Sequence, residues 1–408
     1  MRLAFGHEFV DFEPPAHFLT VEGKGLAPLA QAEQAVRQAL RRPIASQPLA
    51  QLVNSDSKIV ILVSDSTRPT GADVFLPVLL EELAAAGVPD SNISFLVATG
   101  AHGVLSEAEL SQLLPKELQH RYAVASHDCF DRSQLVHVGT TSRGNEVLFN
   151  KLAVEADLRI LTGAISVHPF AGFGGGRKAL FPGVAGYETI CFNHSLLLDP
   201  NAAPSVLQGN PVHEDFMEGI ALVGPKFLLN SVVDENGALA AIYAGDVEQA
   251  HVTGTRLVLD SAVAVVPEAA DTVVASAGGF PYDVNLYQAV KALQNAARIV
   301  NPGGNIVLVA ACSQGVGSSQ FSEWAPRRLS ARELAEQLSR QFVLGKHKCF
   351  FVSEILERCH VYLYSQLDAD LVASFGFKPL SDLAAAPLSG RVVILPRATA
   401  TLPQIAPK

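Results

Sequence analysis

The chain has few cysteines, and they are spaced too widely to act together. Cys129, Cys191, Cys312, Cys349 and Cys359 are five in number, at least ten residues apart, and form no CxxC pair. Neither a disulfide framework nor a cysteine zinc site is supported, and a reducing cytoplasm is the expectation. Positive charge is also scarce: 30 Lys and Arg stand against 40 Asp and Glu, a formal charge of −10. With no basic stripe to neutralise phosphates, a nucleic-acid surface is excluded. Local Arg and Lys can still hold a small anion, whatever the overall sign. No apolar run approaches the roughly 20 residues that span a bilayer. The opening segment MRLAFGHEFVDFEPP brings acids and prolines early and lacks the apolar stretch of a secretory leader.

Familiar site motifs are missing as well. The cluster GFGGGRK at residues 172–178 fails as a dinucleotide fingerprint, because Arg177 stands where Gly or Ala is needed. It fails as a phosphate-binding P-loop, because Lys178 lies between Arg177 and Ala179. His213-Glu214 has Met217 where a zinc protease places its second histidine.

What is present is an α/β pattern. A chain of 408 residues exceeds one ordinary core and is expected to form two domains. Residues 58–63 (KIVILV), 93–98 (ISFLVA) and 158–161 read as buried strands, each running into a polar or glycine-containing loop. After the first, Phe75, Leu76, Leu79, Leu80 and Leu83 have the spacing of one helix face. A second unit opens with strand 272–275, helix 285–299 and strand 305–309. On that helix Leu286, Val290, Leu293 and Ala297 form the core stripe. Repeated strand, loop and helix mean parallel-type sheets covered by helices. Functional groups in such sheets gather at the carboxyl ends of the strands. The domains are expected at 1–267 and 268–390, with 391–408 returning to the first and an active site in the interdomain cleft. The Ala-rich stretch 383–387 reads as a linker or helix end.

Unusual polar residues sit just after the apolar runs. His102 ends LVATGAH, His168 ends GAISVH, Lys178 follows ten residues later, and His194 lies in YETICFNHS, a helical segment. Tyr287, Gln288 and Lys291 fall at i, i+1 and i+4, which puts them side by side, turned away from their helix's own core stripe.

At these residues the chain resembles the lactate racemase family of nickel-pincer enzymes. The matching segments are SDSTRP, TGAH, SVHPF with GGGRKALFPG, CFNHS, and LYQAVK, spread over residues 64–291. The resemblance implies a nickel-pincer nucleotide, a pyridinium mononucleotide whose two sulfur-bearing arms hold the metal, with one arm joined to Lys178. It implies His194 as the protein's nickel ligand; sulfur, carbon and imidazole donors suit planar nickel. Gly175 and Gly176 would let the backbone approach the flat cofactor, and Asp65, Ser66, Thr67 and Arg68 would contact the nucleotide, Asp65 through ribose hydroxyls. His102 and His168 are implied as the acid/base pair, one for each enantiomer of a small 2-hydroxy acid, since imidazole exchanges protons near neutral pH. Arg68 and Lys291 are the candidate cations for its carboxylate, with Tyr287 and Gln288 orienting the rest. Cofactor-building enzymes are the implied partners. The competing readings are a carrier that holds the cofactor without turnover and a conventional nucleotide-dependent dehydrogenase.

Overall fold

The computed structural model describes residues 1–65, 69–114 and 116–407; Ser66, Thr67 and Arg68 lie outside them, as does the side chain of Gln112. Two α/β units are present, Gly25–Leu259 (the first unit) and Met1–Lys24 with Asp260–Lys408 (the second unit).

The first unit is built on a six-stranded sheet in the order Leu239–Gly245, Lys226–Val233, Leu158–Ala164, Ile59–Ser64, Ile93–Ala98, Ala123–Ser126. All neighbours are parallel except the first pair. Residues Ile59 to Val63 are buried because both sheet faces are covered, which is why that strand reads as a continuous apolar run. Helix Ala72–Ala85 closes one face with the expected stripe Phe75, Leu76, Leu79, Leu80 and Leu83, each 6 % exposed or less. The chain leaves the central strand Ile59–Ser64 toward Ile93–Ala98 on one side and later adds Leu158–Ala164 on the other. In open parallel sheets such a reversal is where ligands bind, at the carboxyl ends of the strands.

The second unit has a six-stranded, all-parallel sheet: Lys378–Leu380, His360–Tyr364, Val300–Val309, Ala270–Ser276, Val392–Leu395, Phe18–Thr20. Helix Leu286–Ala296 follows Ala270–Ser276 and is capped by Asn285, whose side chain accepts from the Gln288 N–H at 2.9 Å. Leu286, Val290, Leu293 and Ala297 are buried, as the stripe required.

Three expectations change here. The tail 391–408 does not return to the first unit: Val392–Leu395 pairs with Ala270–Ser276 and with Phe18–Thr20. A strand of four fully buried residues needs a neighbour on each edge, and both lie in this sheet. The amino-terminal segment, expected within the first domain, supplies that edge. Tyr287, expected to face away from its core, packs partly buried against it, its ring 5.9 Å from Phe321. Gln288 and Lys291 are half-buried. Residues Leu383–Ala385 form one short helical turn.

Candidate active site

The candidate residues of the first unit follow three of its parallel strands. Asp65 follows Ile59–Ser64, and His102 follows Ile93–Ala98. The third loop follows Leu158–Ala164 and folds into a tiny hairpin, with Val167–His168 antiparallel to Gly172–Phe173. It then turns through Gly176–Ala179, which carries Lys178. The loops are tied together by backbone. The Gly100 N–H donates to the Gly183 carbonyl at 2.9 Å, and the Gly183 N–H to the Lys178 carbonyl at 3.0 Å.

The glycines of the third loop are demanded by the protein's own packing. Gly175 and Gly176 have φ of +69° and +60°, the left-handed region. A Cβ on Gly175 would meet Asn230 Oδ1 at 2.6 Å, and one on Gly176 would meet the His251 ring at 2.7 Å. Asn230 completes the fit by accepting from the Gly176 N–H. Close backbone approach, expected toward a cofactor, is thus already required by Asn230 and His251.

Two histidines stand at the rim. His102 is 55 % exposed at its side chain, and its Nδ1 lies 2.7 Å from Oδ2 of buried Asp65. A carboxylate there fixes the proton on Nδ1 and leaves Nε2 as the acceptor. Asp65, expected on ribose hydroxyls, therefore has an imidazole partner that its sequence position did not reveal. His168 is held the other way. Its Nδ1 accepts from the Ala171 N–H at 3.2 Å, so in the neutral ring the proton sits on Nε2.

Behind them lies a dry, cationic layer. Phe170 bridges the two levels, its ring 4.6 Å from His168 and 5.3 Å from His194. Phe216 gathers the rest: its ring centroid is 6.1 Å from His194, and 5.7 Å from both Lys178 Nζ and the Arg177 guanidinium carbon. Lys178 and His194 are 8 % and 7 % exposed. Burial first, then the Lys178 charge, pushes the His194 imidazole down to about 3. His251 and His213 also fall to about 3, through burial and then the charge of Arg177. Arg177, itself 1 % exposed, is lowered to about 9 by burial, with Ala171 O and His251 as hydrogen-bond partners.

Helices Tyr187–Ser195 and Pro211–Ala221 present His194 and Phe216. They are stapled by Asp215, which accepts from Asn193 Nδ2 at 2.9 Å, Asn145 Nδ2 at 2.8 Å and Thr141 Oγ1 at 2.6 Å. Asp215 is fully buried, so each of these bonds matters to its stability.

The structure thus brings Asp65, His102, His168, Gly175, Gly176, Lys178 and His194 to one end of one sheet. Ser66, Thr67 and Arg68 are outside the described residues. Tyr287, Gln288 and Lys291 stand on the helix of the second unit, where Lys291 Nζ donates to Gln288 Oε1 at 2.9 Å. Sequence reading missed Arg177, Asn230, Asp215, Phe216 and His251. Only Arg177, beside Lys178, carried a local signal.

The nickel-pincer nucleotide that the resemblance implies would call for a neutral imidazole and a buried amine. Among the described residues no three His, Cys, Asp or Glu side chains gather as a metal set, so a metal would need most donors from a non-protein group. Burial and the Lys178 charge keep the His194 imidazole neutral, the form in which imidazole binds a soft metal. A buried amine beside it, Lys178, in a layer that also holds the Arg177 guanidinium, suits an anionic group.

Comparison with known proteins agrees with this geometry. Residues 5–205 match the lactate racemase N-terminal domain and residues 265–387 the lactate racemase C-terminal domain. The chain is 35 % identical over 294 residues to a lactate racemase of Thermoanaerobacterium thermosaccharolyticum, spanning 72 % of this chain and 68 % of that one. It is 32 % identical over 360 residues to a lactate racemase of Lactiplantibacillus plantarum, spanning 82 % and 84 %. Its fold matches the lactate racemase apoprotein structure from T. thermosaccharolyticum with a TM-score of 0.91 over 99 % of both chains, at 28 % identity. A Thermotoga maritima protein shares the fold with a TM-score of 0.73 over 94 % of this chain and 100 % of that one, at 17 % identity. Two matched domains that together span most of the sequence, and relatives at this identity and coverage, make the chain a member of the lactate racemase family.

Proposed function

We propose that the protein is a racemase or epimerase that inverts C2 of a small 2-hydroxy acid, using a nickel-pincer nucleotide joined to Lys178. The observation that carries this reading is the pairing of exposed His102 and half-buried His168 with a buried Lys178–His194 layer at the carboxyl end of one sheet. Relatives that are lactate racemases support it.

Lys178 would tether the group and His194 would coordinate its metal. When bound, the group would supply an acceptor and donor for the hydrogen on C2. The protein's own part is proton handling and orientation. His102, with Nδ1–H on Asp65, takes the hydroxyl proton at Nε2, and the buried carboxylate stabilises the imidazolium that forms. Loss of that proton and of the C2 hydrogen leaves a planar 2-keto acid, which can be reprotonated on oxygen after its other face is presented. His168 serves that opposite enantiomer, once its Nδ1 is released from the Ala171 N–H. Arg68 and Lys291 are assigned to the substrate carboxylate, with Tyr287 and Gln288 orienting it. Ser66 and Thr67 are assigned with Asp65 to the nucleotide.

The test is production of the chain together with cofactor-building enzymes, followed by intact-mass measurement and chiral analysis of a 2-hydroxy-acid panel. Added mass at Lys178 with enantiomer interconversion is expected. Added mass without turnover of any panel member leaves only a carrier, and no added mass with active control enzymes overturns the tether.

A further inference from the structure

Arg177 takes no part in the proton steps, yet its guanidinium lies 1 % exposed in the dry layer behind the rim. Taking such a cation out of water is costly, and among the described residues no acidic side chain pairs with it. Its Nε has no hydrogen-bond partner among them either. The Phe216 ring, 5.7 Å from the guanidinium carbon, offsets part of that cost. Packing alone does not ask for the charge, since Met would fill much of the same volume without desolvating one.

What the guanidinium does hold is one residue of the neighbouring hairpin. Its Nη2 donates to the Ala171 carbonyl at 2.6 Å, a short, charge-assisted bond. Its Nη1 stands 3.4 Å from His251 Nε2, a nitrogen that already lies 2.9 Å from the Gly174 carbonyl. The Ala171 bond is therefore the dominant one. Through its own N–H, Ala171 donates to His168 Nδ1 at 3.2 Å, and the Phe170 N–H lies 3.5 Å from the same nitrogen. His168 and Gly172 pair across the hairpin, so only Pro169, Phe170 and Ala171 connect them. So short a tip has little slack, and the place of Ala171 decides which ring nitrogen of His168 meets a donor. The Phe173 N–H also reaches the Ala171 carbonyl at 2.9 Å, and Asn210 Nδ2 holds the Phe170 carbonyl at 2.9 Å. Of these three ties, that of Arg177 is the shortest and the only charged one.

We propose that Arg177 is a positioning residue for His168: by clamping Ala171 it keeps an N–H on Nδ1 and the ring proton on Nε2. The resting rim then holds two complementary imidazoles, His102 with Nε2 as acceptor and His168 with Nε2–H as donor. Release of His168 Nδ1, which the opposite enantiomer requires, makes Ala171 yield against Arg177. That consequence for turnover rests on the racemase reading; the tautomer itself does not.

The first readout is imidazole NMR of the full chain without cofactor, labelled with 15N-histidine. The His168 signals are assigned by their loss in His168→Gln. Wild-type His168 is expected to show a proton-bearing Nε2 and a bare Nδ1 at neutral pH. In Arg177→Met, shown to be folded by circular dichroism, both tautomers appear. Arg177→Lys, which keeps a cationic donor, restores the single form. The second readout is racemisation by enzyme loaded with cofactor. In Arg177→Met, kcat falls about tenfold while KM changes by less than about threefold, and the Lys variant recovers most of kcat. Wild-type protein with the His168 proton on Nδ1 overturns the proposal, even where the Met variant does not fold. Arg177→Gln, neutral and shorter than arginine, is then read in place of Met. A folded neutral variant with the wild-type tautomer, or with unchanged kcat, overturns it too. A Lys variant indistinguishable from Met assigns the loss to packing and overturns it as well. Loaded wild-type enzyme that racemises no 2-hydroxy acid sinks the racemase reading instead, and the NMR result still decides the clamp.

Discussion

The first unit holds histidines in two contrasting environments within one site. At the rim, His102 faces water and has a buried carboxylate 2.7 Å from Nδ1. One layer deeper, His194, His213 and His251 are nearly sealed from water and lie among Lys178, Arg177 and aromatic rings, and all three are driven to about 3. The rim sets an exposed imidazole against a buried counter-charge. The interior is arranged to hold its imidazoles neutral. The same side chain thus stands beside a counter-charge at the surface or is held neutral in the interior, according to solvent and neighbouring charge.

The contrast can be broken from either side. The largest effect is expected deep in the site: Lys178→Ala should abolish both the added cofactor mass and racemisation, read by intact-mass and chiral assays, and retained mass would remove the tether assignment. At the rim, His102→Ala should lower kcat by roughly 10²- to 10⁴-fold without changing the mass added at Lys178. Unchanged turnover would show that proton transfer occurs elsewhere. Asp65→Asn should cost less, about tenfold or more in kcat, because an amide oxygen can still accept from Nδ1–H but cannot balance the ring's charge. Equal losses for Asp65→Asn and His102→Ala would mean that the carboxylate does more than orient.

The interior also makes a prediction about stability. A histidine whose folded pKa is depressed contributes stability that is complete above its unfolded value near 6.5 and is lost as pH falls toward the folded value. With three histidines at about 3, unfolding near pH 5 should take up about three protons, and the Tm should drop between pH 7 and pH 5. A flat Tm across that range would show that these imidazoles are not held neutral. The smallest and most local effect is Gly176→Ala. A Cβ there would meet His251 at 2.7 Å at a φ of +60°, so a loss of about 1–3 kcal/mol is expected from chemical denaturation.

The parallel sheets were legible in the sequence because strands covered on both faces must be continuously apolar. KIVILV, ISFLVA and the helix stripe from Phe75 to Leu83 all lie where periodicity put them. The loops carrying Asp65, His102, His168 and Lys178 were legible too, because open parallel sheets present their strand ends to ligands. The partners that tune those residues were not. Phe216 is 38 residues from Lys178, and His251 is 75 from Gly176, separations that no local pattern encodes.

The sequence by itself determined which residue types stand at the strand ends, because alternation of apolar runs and polar loops is local. Only the tertiary structure decided which of them are wet and which are dry. Burial, and therefore the charge state of each imidazole and amine, depends on side chains brought in from distant helices. The same holds for the edge strand Phe18–Thr20: three largely exposed residues become part of a sheet only because Val392–Leu395 offers them its backbone.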